Sequence, residues 1–565
     1  MEGGRFLLAV VLMIAVVVVT NVLFPPVTPV PSVPGDTLSL PADTTTEPMT
    51  TAPQAGTDTI PEEPMAGIVA GPPSEGLPED TVLVTSPLFR YGISTRGGAV
   101  AVADLLQYES LTNEGQPVWL VPEGSGGLVR HRLRTGEQVI DLASLPFRAE
   151  PAADLHLAEG GTPDSVTMAY SDSASGFSVR LTYLFRPDNY LIDVRARVST
   201  GTGATPQLLV DLGPTLPLHE WNEREEIQTL AYAVNNPQRG IESVQLENVE
   251  QQRVENGPLV WVALKNKYFL AAAIQAELDP MPFGGLIAEP AGGGHHADLT
   301  ATLLPNARGE ISYRLYLGPQ QYDRLAAIGN QLADVNPYGW RFLRPVIRPL
   351  AHGITWLLLG MHQVLGLGYG WVLVLFGVLV RVLLWPLNAR AMRSQMKSME
   401  LQPRLKELQA RYKAEPEKLQ KEMLRLYKEE GFNPMGGCLP LLIPFPVLIT
   451  LFFVFQATIE FRGVPWLWLP DLSRPDPYYI IPVLMGASMF VLQWLSMRSA
   501  RDANPQMKFM MYFMPIFMVI LFVNFASGLN LYYTAMNIAS IPQQLMIARE
   551  RAQWHATRNA GVKPA

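Results

Sequence analysis

The sequence predicts a multi-domain membrane protein: an α-helical bundle of five core transmembrane helices plus an N-terminal anchor helix, joined to a large all-β sandwich outside the cytoplasm. Three observations predict it. Only 17% of the 565 residues are charged while 48% are hydrophobic, a balance that leans away from a soluble protein. Apolar runs of helical length crowd the last third. Residues 81–322 instead alternate apolar and polar side chains in short runs between Gly, Pro, Asn and Asp, the pattern of antiparallel strands with one wet face.

Taken in order, residues 1–24 carry an apolar run, Phe6–Phe24, behind Arg5. At about 19 residues it is close to a membrane span. No small-residue cleavage site follows before Pro25-Pro26, so an uncleaved anchor is favoured over a signal peptide. Residues 25–80 are rich in Pro, Thr, Gly and acid, and read as a disordered linker. Residues 81–325 form the sandwich, with Ser178–Phe185, Tyr190–Val198 and Ile311–Leu317 its clearest strands. Residues 340–362 mix Arg341, Arg344 and Arg348 with Trp340, Phe342, Trp356 and leucines, as an interfacial amphipathic helix does. The core, 363–548, holds five candidate spans at about 366–386, 436–458, 478–497, 508–525 and 527–547. Only Ala526-Ser-Gly528 separates the last two. Within the core, residues 387–430 read as a polar helical hairpin broken at Pro416 and kinked at Pro403. Residues 549–565 are a tail.

Charge orients these segments. Segment 387–430 contains eleven Lys or Arg, whereas there are none between Arg5 and Arg90. The loop at 459–477 has only Arg462 and Arg474. With both termini inside, the lysine- and arginine-rich segments face the cytoplasm and the sandwich lies outside. The net charge of −8 excludes nucleic-acid binding by bulk electrostatics. The single cysteine, Cys438, excludes an internal disulfide and a cysteine metal cluster.

Few residues offer chemistry. Arg381 lies within an apolar span, where a cation costs about 2.5–3.5 kcal/mol at the centre on insertion scales. Two readings stand: the side chain snorkels past Pro386 to the headgroups, or it faces a water-filled cavity. On the last span Asn530, Tyr533, Asn537, Ser540 and Gln544 fall on one helical face. They fit a hydrated groove, or hydrogen bonds between helices. Met485, Met489, Met510 and Met514 offer an adaptable apolar surface, or plain packing. On the hairpin, Arg393, Lys397, Arg404, Lys406, Arg411 and Lys413 form a basic face for anionic lipid or ribosomal RNA, or a topological signal alone. No nucleotide loop, zinc-protease helix or nucleophile elbow occurs. His295, His296 and Asp298 follow a glycine run and do not make a convincing metal site. No cofactor and no covalent catalysis are expected.

Several motifs are longer. Asn433-Pro-Met-Gly-Gly-Cys-Leu-Pro-Leu-Leu-Ile-Pro-Phe-Pro446, Asp476-Pro-Tyr-Tyr-Ile-Ile-Pro-Val-Leu-Met-Gly486, Ser527-Gly-Leu-Asn-Leu-Tyr-Tyr533 and Arg381 before Trp385-Pro-Leu387 resemble the YidC/Oxa-type membrane protein insertases over about 340–548. Ser94-Thr-Arg-Gly-Gly98 and Lys267-Tyr-Phe-Leu-Ala-Ala272 resemble the periplasmic domain of Gram-negative members, a mutarotase-like sandwich. The resemblance implies an inner-membrane insertase and assembly chaperone acting alone or with the Sec translocon. A groove open to cytoplasm and lipid would hold Arg381 and Tyr533. The polar tail of a nascent membrane protein would enter it, and the apolar helix would leave along the third and fifth spans. Ribosome, signal recognition pathway and membrane lipids are the further implied partners. Gly377 departs from relatives that are polar there, and implies a groove either drier or roomier at that depth. Two other classes compete: a secondary transporter using Arg381 for an anionic solute, and a tethered sugar enzyme. Solute flux in liposomes tests the first, and sugar binding by the sandwich tests the second.

Overall fold

The computed structural model describes residues 68–69, 80–200, 205–336, 339, 343–386, 388–389, 401, 404–405, 407–413, 415–429, 444–498 and 505–559. The anchor lies outside the described residues, as does most of 25–80. Ile68–Val69, inside the latter stretch, pairs in parallel with Val139–Ile140, so the sheet system reaches back into it.

The β-module is built from three sheets. A nine-stranded sheet runs Gly240–Gln245, Ala231–Asn236, Trp261–Lys265, Phe269–Gln275, Glu310–Pro319, Leu191–Thr200, Phe177–Phe185, Asp164–Asp172, Arg148–Glu150. The three strands clearest in the sequence are neighbours here, at Phe177–Phe185, Leu191–Thr200 and Glu310–Pro319. A seven-stranded sheet centres on Gln207–Asp211, between Arg130–Thr135 and His296–Leu303. A five-stranded sheet centres on Phe89–Ser94. Alternate side chains from all three meet in one core that includes Tyr91, Tyr183, Trp261 and Phe269. His296 opens its strand rather than lying in a loop. Among the described residues no group of three or more His, Cys, Asp or Glu could hold a metal.

Two short helices edge this module, α1 (Glu223–Thr229) and α2 (Tyr322–Ile328). The helical part then comprises α3 (Arg344–Leu365), α4 (Tyr369–Leu383), α5 (Pro416–Glu429), α6 (Pro444–Ala457), α7 (Ile480–Arg498), α8 (Pro505–Phe522) and α9 (Ser527–Asn559). Among the described residues no single helix is long and apolar enough by itself to cross a membrane. The bent pair α3–α4 passes together, at 119°, and Val447–Ala457, Ile480–Leu495 and Met511–Phe522 are shorter apolar stretches. The bend falls at Gly366, whose φ of +63° a side chain would strain. The amphipathic pattern of α3 is real in space. Ile347, Ala351 and Leu358 are buried while Trp356 is 71% exposed. Pro416 begins α5, as its fixed φ favours.

The two modules are joined tightly. Asp334, after α2, is gripped by Arg348 and by His352 of α3, the latter at 2.9 Å. Between α6 and α7, Arg462 Nε donates to Glu220 Oε1 at 2.7 Å, with both side chains under 5% exposed. The same guanidinium lies over the Phe269 ring, and Ile459 completes the core of the sandwich. That loop also holds the ends of the bundle. Asp471 O accepts from Ser527 Oγ, and Leu472 O accepts from Gly528 N–H at 2.9 Å. Asp476, fully buried, accepts the N–H groups of Tyr478 and Ile481 and so caps α7.

Candidate substrate groove

Arg381 stands in the last turn of α4. The neighbour that defines its surroundings is α9, and two contacts set their register. A Cβ on Gly377 would lie 3.1 Å from Tyr532 O and 3.2 Å from Ala535 Cβ and Met536 N. Further along, Gln543 Nε2 donates to Trp385 O at 3.0 Å. The helices therefore run parallel, and Arg381, midway between Gly377 and Trp385, is level with Ala539 and Ser540. Gly377 is the point where two helix backbones touch.

Arg381 is half-buried, with its Nε enclosed and lacking a hydrogen-bond partner among the described residues. Three more enclosed polar atoms on α9 share that state: Asn530 Oδ1, Tyr533 Oη and Gln543 Oε1. In an apolar interior each costs about 1–3 kcal/mol unless water or another molecule supplies a partner. A guanidinium with an enclosed N–H left over can receive an acidic or carbonyl group.

The polar stripe on α9 divides. Asn530 is fully buried, and its Nδ2 donates to Phe522 O at 2.9 Å, closing the turn between α8 and α9. Asn537 donates to Ser488 of α7 at 3.2 Å, the interhelical bond that was the plainer expectation. Ser540 bonds its own helix at Met536 O. Tyr533 is buried edge-on to Phe522 at 5.5 Å, its hydroxyl without a partner among the described residues. Gln544 is half-buried. Gln543, which the stripe did not include, points at α4 instead. Its signal was available in Tyr532, Met536 and Gln543, at i, i+4 and i+11 on the adjoining face.

The methionine surface needs correction. Met485 is 4% exposed in the core of the bundle, so it packs helices and offers no surface. Met489 and Met514 are half-buried, and the side chain of Met510 lies outside the described residues. The outward stripe of α8 is Phe509, Tyr512, Ile516 and Ile520, with Ile516 61% exposed. On the hairpin, Arg404, Arg411 and Lys413 are exposed, while Arg393, Lys397 and Lys406 lie outside the described residues. Arg404, Leu408 and Arg411 line a cleft together with Glu422, Leu426 and Glu429 of α5.

The family model for the YidC periplasmic domain matches residues 81–352, and that for the 60Kd inner membrane protein matches 360–554. A membrane protein insertase YidC from Cupriavidus necator is 30% identical over 501 residues, 83% of each chain. That of Cupriavidus metallidurans is 32% identical, covering 89% of this chain and 88% of its own. The chain belongs to the YidC family of membrane protein insertases. It is therefore an inner-membrane insertase with a periplasmic domain, whose substrates are nascent membrane proteins, and the transporter reading is not favoured. Among solved structures, an active YidC insertase with its first transmembrane domain resolved matches 83% of this chain and 93% of its own, at 18% identity and a TM-score of 0.34. A galactose mutarotase-like protein from Lactobacillus casei matches 42% of this chain at 10% identity and a TM-score of 0.27. At such scores neither likeness bears on the insertase's mechanism.

Proposed function

We propose that this insertase moves the polar tail of a short nascent protein through a hydrated groove between α4 and α9, with Arg381 as the attracting charge. The observation that carries the reading is the enclosed Arg381 Nε, without a partner among the described residues, with Tyr533 Oη and Gln543 Oε1 of α9 in the same condition. A wet pocket partway into the bilayer shortens the stretch over which a polar chain must shed water. Arg381 then pairs transiently with acidic side chains of the tail, and an outward-positive potential that resists cations assists anions. The apolar helix of the substrate leaves along the third and fifth spans. Five core spans and an N-terminal anchor, with both termini cytoplasmic, fit the charge pattern. The hairpin 387–430 would receive substrate, ribosome or signal recognition pathway, and the Sec translocon would work alongside.

The test uses a Cys438→Ser background. A cysteine replacing Tyr533 should react with a membrane-impermeant thiol reagent added from the cytoplasmic side, and at least tenfold faster than one replacing Met485. Equal, negligible rates at both positions would mean a dry bundle and would end the groove reading. Arg381→Ala should slow insertion of substrates with acidic tails far more than Arg381→Lys does, because Lys keeps the charge and loses only the fork.

A further inference from the structure

The loop that joins α6 to α7 carries an apolar turn. Residues 463–470 read Gly-Val-Pro-Trp-Leu-Trp-Leu-Pro, without a charged side chain. Trp466 and Leu469 exchange both backbone hydrogen bonds, at 2.9 and 2.8 Å, so Leu467 and Trp468 form a two-residue turn. Leu467 has φ +51° and is 66% exposed. Gly, Asn or Asp is the usual choice at such a position, because a Cβ strains the left-handed backbone. A leucine standing in water gains nothing that offsets the strain. The turn is nonetheless held firmly. The Trp466 ring meets Trp371, in the first turn of α4, edge-on at 5.4 Å, and Trp468 Nε1 donates to Asp476 at 3.3 Å. Leu469 and Leu472 are buried in the bundle core. Just before α7, Tyr479 repeats the pattern, with φ +57° and 55% exposure.

We propose that the turn Trp466–Leu469 is a rigid apolar finger that seats Leu467 in the outer leaflet of the bilayer, so that the loop holding the periplasmic domain to the bundle is itself anchored in lipid. Arg462, at the base of this loop, pairs with Glu220 of that domain, which puts the turn at the periplasmic end of the bundle. Exposed apolar surface runs on from Tyr478 and Tyr479 into Ile480, Val483 and Leu484 of α7. The finger thus borders a face that the bundle turns to lipid. Tryptophan and tyrosine favour this level of a membrane, with the ring among acyl chains and the polar tip among headgroups. A segment without charge gives up no ionic hydration on entering it. Removing Leu467 from water then offsets the backbone strain. The paired hydrogen bonds between Trp466 and Leu469 keep its side chain outward instead of letting it fold back onto the bundle.

The experiment uses full-length Cys438→Ser protein in lipid nanodiscs, free of substrate, with a single nitroxide label on Leu467→Cys. Two reference proteins carry the label elsewhere. One is Ile516→Cys, on the outward stripe of α8. The other is Leu278→Cys, at a site 81% exposed beyond the far end of the strand that begins at Phe269. Collisions of the label with oxygen, which concentrates in lipid, are compared with collisions with a water-soluble nickel chelate. The oxygen-to-nickel ratio at Leu467 should be several times that at Leu278 and approach that at Ile516. A ratio at Leu467 no higher than at Leu278 places the turn in water and overturns the proposal. So does a label at Leu467 shielded from both probes, because a protein surface, the sandwich or a second copy of the chain, then covers the turn.

Discussion

Single residues in this insertase show how one atom can decide an arrangement. At Gly377 the missing Cβ is what lets α4 and α9 touch, since the facing atoms include a backbone oxygen and nitrogen that cannot yield. Gly377→Val should separate the helices and lower stability by about 1–3 kcal/mol, read as an earlier thermal unfolding transition in nanodiscs. His219 is the matching case in the sandwich. Its Nε2–H donates to Trp119 O at 2.6 Å while Nδ1 meets Ser110 Oγ at 3.1 Å, so both nitrogens are used by the neutral ring. Burial holds it down to about 4, and does the same to His131. Both titrate higher when unfolded, so the domain should lose stability as pH falls from about 6.5 to 4. The loss is on the order of 3 kcal/mol per histidine once complete. Denaturant midpoints measured across that range should fall accordingly, and His219→Gln should flatten part of the slope.

At the scale of elements, the loop 459–477 does more than connect two helices. Asp476 caps α7 with two backbone N–H groups and also accepts from Trp468 Nε1 at 3.3 Å. Asp476→Ala should cost about 1–2 kcal/mol and loosen the outer end of α7 first, visible as faster hydrogen exchange there. On α8 the outward stripe is aromatic and β-branched rather than methionine-rich. A photo-crosslinker at Ile516 should capture a stalled nascent membrane protein, and one at Met485, sealed in the core, should not. Equal capture at both positions would mean the bundle opens much wider than this packing.

Across the whole molecule, the periplasmic domain is not a loosely tethered passenger. The Arg462–Glu220 pair is buried on both sides, and removing one member leaves an uncompensated charge at a cost of about 3–5 kcal/mol. Arg462→Met should therefore release the domain more than Arg462→Met with Glu220→Leu, in which neither charge remains. The thiol-labelling rate of a cysteine replacing Ile459, which is buried in the sandwich core, ranks the two in a Cys438→Ser background.

Much of this protein was legible in its sequence. The alternation in Ser178–Phe185, Tyr190–Val198 and Ile311–Leu317 reports a strand's own period, so it located three strands that prove adjacent. The apolar face of α3 and the break at Pro416 are likewise local matters of periodicity and backbone, and the signature around Asn433, Asp476 and Ser527 indicated the family. Tertiary structure alone decided which of two possible faces a polar or apolar residue turns to. Asn530 and Asn537 sit on one helical stripe, yet one closes a turn and the other bonds α7, while Gln543 on the next stripe meets α4. Met485 and Ile516 are both apolar, and only packing buries one and bares the other. The Arg462–Glu220 pair joins residues 242 positions apart. Hydrophobic period depends on neighbours along the chain, whereas burial, charge pairing and helix register depend on neighbours in space, which no local pattern encodes.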